Sequence, residues 1–291
     1  MSVGKDMELK SPTTFKQQVE LLKSRNLIID DEEQALSMLQ KINYYRLSAY
    51  MITLKTGDRF NDGVSLQHVH NLYQFDKKLR NLILPILESI EISFRTHIAY
   101  LIAHKYGAEG YIDCRNFKRK DYHEEMLQKL NDEIDNSREI FVEHHKQKYG
   151  GRFPVWVVIE LTSFGLLSKS YSNLKNQDRN EIAQEHYGTK GSLISSWLHS
   201  LSILRNTCAH YGRLYNRKLV IAPRLFKTDE EKGVKNDRLF ACLLIMGRLS
   251  LDKSEWSNFV TQLEALVEQY DEVNLECLGF PANWQTVLRK Q

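Results

Sequence analysis

A long segment of helical periodicity, residues 65–106, restricts the fold of this chain more than any other feature. Apolar side chains that recur at steps of three and four form one stripe along an α-helix. Pro85 predicts a kink or a division in this helix, and Gly107 predicts its end. The stripe comprises Val69, Leu72, Phe75, Leu79, Leu82, Ile83, Ile86, Leu87, Ile90 and Phe94. The outer face, which we expect to be solvated, carries Asp76, Lys77, Lys78 and Arg80.

The same periodicity recurs along the rest of the chain, which predicts an all-α fold, a helical bundle with N- and C-terminal helical additions. Residues 1–12 look like a loose tail, and residues 13–291 are expected to form a single helical domain. Residues 219–223 predict either a small strand or an extended packing segment, and Phe280 and Trp284 are expected to dock onto the body. Further helices are predicted over residues 13–25, from residue 30 onward, and over 44–54, 118–149, 178–186, 237–249 and 254–270.

Residues 155–171 are apolar nearly all round, which predicts a segment in the core. Glu160 is the one acidic residue in this run, and a lone carboxylate there needs a partner. Arg95 and Arg205 are the candidate partners. A structural salt bridge is the favoured interpretation, and a supporting role at a functional site is the alternative.

Composition narrows the function classes only modestly. Lys and Arg number 40 against 37 Asp and Glu, so the chain is mildly basic, which permits nucleic-acid binding without arguing for it. The four cysteines form no CxxC pair, which indicates free thiols in a reducing cytoplasm. The polar start is unlike a signal peptide, and the apolar run of residues 82–94 is too interrupted to predict a membrane span. No glycine-rich phosphate loop, GxSxG or HExxH occurs, so no metal or cofactor site is predicted.

A second helix, predicted over residues 192–211, carries the candidate chemistry. Its apolar stripe consists of Trp197, Leu201, Leu204, Cys208 and Tyr211. At about 100° per residue, the opposite side carries His199, Asn206 and His210, with Arg205 on the flank.

These residue types suit cleavage of RNA by its own 2′-hydroxyl group, without a metal ion. An arginine fork binds phosphate oxygens, a histidine exchanges protons near neutral pH, and an asparagine orients the imidazole or a substrate oxygen. The same triplet is also typical of a solvated helix face or a buried hydrogen-bond network, and the spacing leaves both interpretations open.

The ordered motifs of the chain, from about residue 15 to its end, resemble those of a known family. Residues 205–210 match Arg-Asn-x-x-x-His, the motif of the HEPN superfamily of all-helical RNA-binding domains and ribonucleases. The rest resembles the Abi (abortive infection) branch of bacterial phage-defence proteins. The resembling segments are Ile42–Tyr50, Leu72–Arg80, Glu88–Glu91 with Arg95, Pro154–Trp156, Glu160, Ser163–Gly165, and Leu278–Pro281 with Trp284.

The resemblance implies a HEPN-like core over roughly residues 65–216 and an endoribonuclease toxin that cuts cellular or phage RNA. It also implies a homodimer in which motif helices pair across a two-fold axis and bring His210 from both copies to one phosphate. An antitoxin is a possible further partner. The alternatives are a non-catalytic RNA-binding module, which holds a structured regulatory RNA or senses infection, and a purely structural interaction protein.

The predicted site has three groups of residues. The catalytic group is Arg205, Asn206 and His210; the supporting group is Glu160, Arg95 and Tyr211; the RNA-binding group is His199, Arg213 and Arg217. If Gly212 ends the helix, its dipole favours a positive charge on His210. If the helix runs on through Tyr215, Arg213 and Arg217 extend the polar face and contact the RNA backbone.

Overall fold

A computed structural model describes residues 9 and 11–291, and it shows the predicted all-α fold. Most of the predicted tail over residues 1–12 lies outside the described residues. The helices are α1 (Phe15–Ser24), α2 (Glu32–Lys41), α3 (Tyr44–Ser48), α4 (Leu66–Tyr106), α5 (Lys120–Asn136), α6 (Ile140–Lys148), α7 (Val155–Val158), α8 (Phe164–Asn173), α9 (Asn176–Tyr187), α10 (Gly191–Ala209), α11 (Lys227–Glu231), α12 (Leu239–Leu249), α13 (Lys253–Gln269) and α14 (Trp284–Arg289).

The remaining regular structure is short. In the part of the chain that the structure describes, 3₁₀ turns cover Ile52–Leu54, Cys114–Asn116, Ile159–Leu161 and Leu275–Leu278. Strands β1 (Lys55–Thr56) and β2 (Arg59–Phe60) pair antiparallel, with Lys55 opposite Phe60 and Thr56 opposite Arg59. Over the described part of the chain, this hairpin is the only sheet.

The first of two compact units runs up to Asp76 and includes Tyr270–Val273. It contains α1 to α3, the hairpin and the first turns of α4, and its core includes the buried Leu22, Leu39 and Leu47. Asp76 is fully buried and accepts a hydrogen bond of 2.7 Å from the Tyr50 hydroxyl. The prediction that Asp76 is solvated is therefore wrong, because this carboxylate has a hydrogen-bond donor inside the unit.

The second unit, Lys77–Gln269 with Asn274–Gln291, carries the motif helix. In this unit α10 packs against α8, α9 and α12. Helix α12 is buried over nearly its whole length, so it occupies the centre of the core. The expected docking of the C-terminal segment is confirmed, since Phe280 and Trp284 are buried and the Phe280 ring lies 5.0 Å from that of Phe240.

Helix α4 continues without interruption through Pro85, so the predicted division of this segment is wrong. A proline inside a helix removes one backbone donor and leaves the carbonyl four residues earlier without its partner. Here that carbonyl belongs to Asn81, and both Asn81 and Pro85 are exposed. Water can therefore solvate the carbonyl, which makes the interruption tolerable.

Three predicted segments are divided further than their periodicity indicates. Residues 118–149 form α5 and α6, because Ser137 is extended and its hydroxyl accepts the Glu139 N–H at 3.2 Å, a local bond that competes with the helix. Residues 155–171 break before α8, where Ser163 caps the helix by accepting the Leu166 N–H. Residues 44–54 form α3 and a separate 3₁₀ turn.

The β-branched run at residues 219–223 is not a strand; the chain bends at Val220 and Ile221, and Val220 is 70% exposed. The Leu219 N–H donates to the Asp237 carbonyl at 2.8 Å. All four cysteines are free thiols, and burial raises the pKa of Cys242 to about 12.

Over residues 9 and 11–291, no helix combines the length and the apolarity needed to cross a bilayer.

Candidate functional site

The motif helix α10 has one buried and one exposed side, as its periodicity predicts. Trp197, Leu201, Leu204 and Cys208 are at most 3% exposed, whereas His199, Asn206 and His210 are exposed. Arg205 lies between the two sides, with 42% of its side chain exposed. The polar groups of the motif are therefore accessible from solvent within the unit.

Helix α10 ends at Ala209 in a complete Schellman motif, with His210 as the C-cap residue. The Tyr211 N–H donates to the Cys208 carbonyl at 3.1 Å, and the Gly212 N–H donates to the Thr207 carbonyl at 2.7 Å. The residue in the left-handed conformation is Tyr211, with φ of 57°. Glycine usually occupies this position, and a tyrosine there is uncommon.

This end decides between the two predicted courses of the chain after His210, and it corrects the predicted place of Tyr211. The helix stops before Gly212, so Arg213 and Arg217 do not continue its polar face. The left-handed turn also removes Tyr211 from the apolar stripe. Its predicted place in that stripe is wrong, because the side chain is 69% exposed.

Arg80 of α4 binds the backbone just after this cap. Its Nη1 donates to the Gly212 carbonyl at 3.2 Å, and the residue is 3% exposed. The prediction that Arg80 is solvated is therefore wrong: the guanidinium faces the end of α10 and satisfies a backbone carbonyl there.

Glu91 of α4 forms ion pairs with an arginine of its own helix and with an arginine of α10. One carboxylate oxygen accepts from Nη2 of Arg95 at 2.7 Å, and the other lies 3.9 Å from Nε of Arg205. The Glu91 side chain is only 9% exposed, so its two arginine neighbours compensate a largely desolvated charge. The motif arginine therefore lies within ion-pair distance of this carboxylate, without a hydrogen bond to it.

Glu160 pairs with Arg95, as one of the two predicted salt bridges requires. Its Oε2 accepts from Arg95 Nη1 at 3.2 Å, and half of its side chain is exposed. Arg95 also donates to the Thr162 carbonyl at 2.7 Å. Arg95 thus connects the segment before α8 to α4. Among the described contacts, Glu160 is linked to the motif arginine indirectly, through ion pairs of Arg95 and Glu91.

Most of the predicted catalytic and supporting residues are connected by side-chain contacts, whereas the His210 imidazole stands apart from them. Contacts lead from Glu160 through Arg95 and Glu91 to Arg205, whose Nη1 lies 3.4 Å from Asn206 Oδ1. His210 stands one turn beyond Asn206, and its own N–H donates to the Asn206 carbonyl at 3.0 Å. Within residues 9 and 11–291, the His210 imidazole has no hydrogen bond or ion pair.

The two predicted RNA-binding arginines lie in the turn after α10. Arg213 donates from Nη1 to the Tyr215 carbonyl at 2.8 Å, a contact within that turn. The Nη1 of Arg217 lies 3.3 Å from the point where a Cβ on Gly212 would lie, so this guanidinium covers the backbone after His210. Neither arginine has a described contact with Arg205 or Asn206.

His199 and Asn206 line one groove, here called the motif groove, with a volume of about 520 Å³. The two residues are seven positions apart, which places them about 10 Å apart along the helix. The groove also carries cationic and anionic groups from α5 and α8. Its lining residues are Lys129, Asp132, Glu133, Ser163, Gly165, Leu166, Lys169, His199, Ser202, Ile203 and Asn206.

Glu91 and Arg80 were not among the predicted site residues, although the sequence carries a signal for both. They are eleven residues apart, which is slightly more than three helical turns, so they lie within about 20° of each other around α4. Arg95, four residues after Glu91, extends the same side. A charged row on an otherwise apolar helix indicates a second helix that meets it with polar groups.

Residues 37–216, more than half of the chain, match the model of a family described as Abi-like protein. Searches of curated proteins and of solved structures return no significant match.

Proposed function

The chain belongs to the Abi-like protein family, and on that premise we propose that it is a phage-defence protein that acts as a metal-independent endoribonuclease. The family supports the role in abortive infection. The cleavage activity is our proposal from the site, and the observation that carries it is the exposed end of α10. There an arginine and an asparagine precede a histidine whose imidazole has no partner within the described residues.

The proposed reaction begins with attack of a 2′-hydroxyl oxygen on the adjacent phosphorus. The new bond joins O2′ to phosphorus, and the bond from phosphorus to O5′ breaks, which leaves a 2′,3′-cyclic phosphate and a 5′-hydroxyl. One group must take the proton of the 2′-hydroxyl, and another must give a proton to O5′. His210 performs one of these transfers, because an imidazole can accept a proton on one ring nitrogen and donate one from the other, and no described residue bonds either nitrogen of His210.

Arg205 stabilises the charge that builds on the phosphate oxygens. A guanidinium has five N–H donors in a planar fork, and the contacts of Arg205 with Glu91 and Asn206 leave donors for a phosphate. The contact with Glu91 also restricts the guanidinium before substrate arrives, which lowers the entropic cost of ordering it. Asn206, whose Oδ1 lies 3.4 Å from Arg205 Nη1, has the role of orienting a substrate oxygen in this proposal.

One copy of the chain supplies one motif histidine, whereas the reaction needs two proton transfers. We propose that a second copy supplies the other across a two-fold axis. Exposed apolar side chains lie close in the chain to site residues: Ile92 follows Glu91 on α4 and is 52% exposed, and Trp156 of α7 lies four residues before Glu160 and is 53% exposed. Such side chains are suited to the core of an interface between copies.

The decisive experiment compares wild type with His210→Ala and Arg205→Ala on labelled single-stranded RNA in the presence of EDTA. We expect wild type to yield fragments that end in a 2′,3′-cyclic phosphate, and each variant to lose activity by a factor of about 100 or more. His144→Ala is the matched control, since His144 is an exposed histidine on α6. A substrate with 2′-deoxyribose throughout should remain intact.

Two outcomes would contradict this function. Full activity of folded His210→Ala would exclude the proposed proton transfer. Wild-type protein that binds RNA through the same face, but leaves every strand intact, would identify the chain as a non-catalytic RNA-binding module.

A further inference from the structure

A second pocket lies beside the motif groove, between α5, α8 and α10. We call it the serine pocket. Its volume is about 560 Å³, within the range of pockets that enclose small ligands. It shares Leu166, Lys169 and His199 with the motif groove. The lining residues are Lys118, Arg119, Tyr122, Glu125, Met126, Leu166, Ser168, Lys169, Ser170, Ser172, Asn173, Ser195 and His199.

Most charges that line the serine pocket are already paired. Glu125 binds Lys129 at 2.8 Å and Lys169 at 3.0 Å. Arg119 pairs with Asp121 at 2.5 Å. The cation that remains is Lys118, whose ammonium has no hydrogen bond or ion pair within residues 9 and 11–291.

A second cation without a carboxylate partner, Arg179, lies directly behind the pocket wall. Its Nη1 donates to Ser195 Oγ at 3.0 Å and to the Ser172 carbonyl at 3.4 Å, and its Nη2 donates to Asn176 Oδ1. Its Nε is buried and has no partner among the described residues. Burial and then the charge of Arg179 lower the pKa of Lys118. Two neighbouring cations without an anion create a positive potential at this pocket.

The rest of the pocket offers hydrogen-bond donors and an apolar wall. The hydroxyl groups of Ser168 and Ser172 have no described partner, and Ser168 is 3% exposed. Tyr122 is half exposed, and the Arg119 guanidinium lies 3.7 Å from its ring centroid. Hydroxyl donors beside a cation suit a phosphate group, and a planar aromatic wall suits a nucleobase.

We propose that the serine pocket binds a nucleotide, with its phosphate held by Lys118 and the Ser168 and Ser172 hydroxyls and its base against Tyr122. A free nucleotide and one unit of an RNA strand share this chemistry. His199 borders both the serine pocket and the motif groove, so a strand in the groove can continue into the pocket. Assignment to RNA rests on the proposed function, whereas binding of a free nucleotide does not.

The test measures binding of 5′-AMP, with adenosine as the ligand that lacks phosphate, by isothermal titration calorimetry. Wild type is expected to bind 5′-AMP at least tenfold more tightly than adenosine. Lys118→Gln should weaken 5′-AMP binding about tenfold, since one charge-assisted contact is lost, and Lys118→Arg should restore it. Lys120→Gln is the matched control: this exposed lysine lies two residues away, pairs with Glu124 and does not line the pocket.

A second titration distinguishes whether the serine pocket binds a free nucleotide or one unit of an RNA strand. A 2′-fluoro RNA 12-mer, which cannot react through a 2′-hydroxyl, is titrated against protein saturated with 5′-AMP. Displacement of 5′-AMP assigns the pocket to an RNA strand, and simultaneous binding of both assigns it to a free nucleotide. His210→Ala should bind 5′-AMP like wild type, so loss of cleavage and loss of this pocket remain distinguishable. Equal affinity of folded Lys118→Gln and wild type, or no wild-type preference for 5′-AMP over adenosine, would overturn the proposal.

Discussion

The largely buried carboxylate of Glu91 forms ion pairs with two arginines. Arg95 comes from its own helix α4, and Arg205 comes from α10. Removing one partner from a buried ion pair destabilises a protein more than the pair itself stabilises it, because the remaining charge stays desolvated. The orientation of the motif arginine and the stability of the unit are therefore linked through this one side chain.

For Glu91→Gln we expect a loss of about 1–3 kcal/mol in the free energy of unfolding. RNA cleavage should fall about tenfold even under conditions in which the variant is fully folded, because Arg205 loses the charge that orients it. Urea unfolding and single-turnover cleavage check the two effects. Glu88→Gln, an exposed change one turn away on α4, is the control. An unaltered cleavage rate in the folded Glu91 variant would contradict the orienting role.

His97 makes stability depend on pH. Its ring stacks on His186 with centroids 3.7 Å apart, and burial, then the charge of His186, lowers the pKa of His97 to about 4. The unfolded chain has an ordinary histidine pKa near 6.5. Between these values the unfolded state binds a proton that the folded state excludes, so stability falls as pH decreases from about 6.5 to about 4.

Urea unfolding at pH 7.5 and at pH 5 measures this dependence, and wild type should be less stable at pH 5. His97→Phe removes the titrating ring and should reduce the difference. His144→Ala, which alters an exposed histidine, should leave it unchanged. A wild-type protein that is equally stable at both pH values would exclude His97 as a determinant.

At the residue scale, the exposure of a side chain was predictable from the sequence where it depends on a single helix. The exposure of His199, Asn206 and His210 follows from helical spacing alone. The burial of Arg80 and the contact between Glu91 and Arg205 depend on how α4 meets the end of α10, and the residues in contact are more than a hundred positions apart in the chain. The left-handed conformation of Tyr211 was also unpredictable, since a tyrosine gives no sign of that geometry.

Helices α4 and α10 run antiparallel along the site. Arg205 lies beside Glu91, and Gly212, seven residues later, lies beside Arg80, eleven residues earlier. The existence of both helices was predictable, because each carries a long apolar stripe. The breaks between α5 and α6 and before α8 were not, because they arise from serine hydroxyls that bind the backbone locally and leave the apolar spacing intact.

At the scale of a single helix, Pro85 is predicted to reduce the stability of α4. Because α4 is continuous at this point and Pro85 is exposed, Pro85→Ala restores a backbone donor at a position that already has helical geometry. We expect the free energy of unfolding to rise by about 1–3 kcal/mol, measured by urea denaturation. Glu88→Ala on the same helix should change it by less than about 0.5 kcal/mol. A loss of stability in Pro85→Ala would mean that packing requires a bend at this residue.

At the scale of the whole molecule, the proposed chemistry requires two copies of the chain. We expect sedimentation to show a concentration-dependent dimer, and Ile92→Glu to shift it toward the monomer because a charge enters an apolar contact. Cleavage per chain should fall in parallel with the dimer fraction. Ile140→Glu is the control, since Ile140 is 87% exposed on α6. A strictly monomeric wild type that cleaves RNA at full rate would contradict the two-copy site.

The Schellman motif at the end of α10 has one further consequence. His210 is placed by main-chain bonds, by the Gly212 contact with Thr207 and by Arg80, and its imidazole takes no part in holding that shape. The His210 side chain can therefore be replaced without altering the backbone conformation at the end of α10. If the chain is the ribonuclease proposed above, a single codon change at 210 should leave a protein that captures the same transcripts intact, and those transcripts could then be recovered from infected cells.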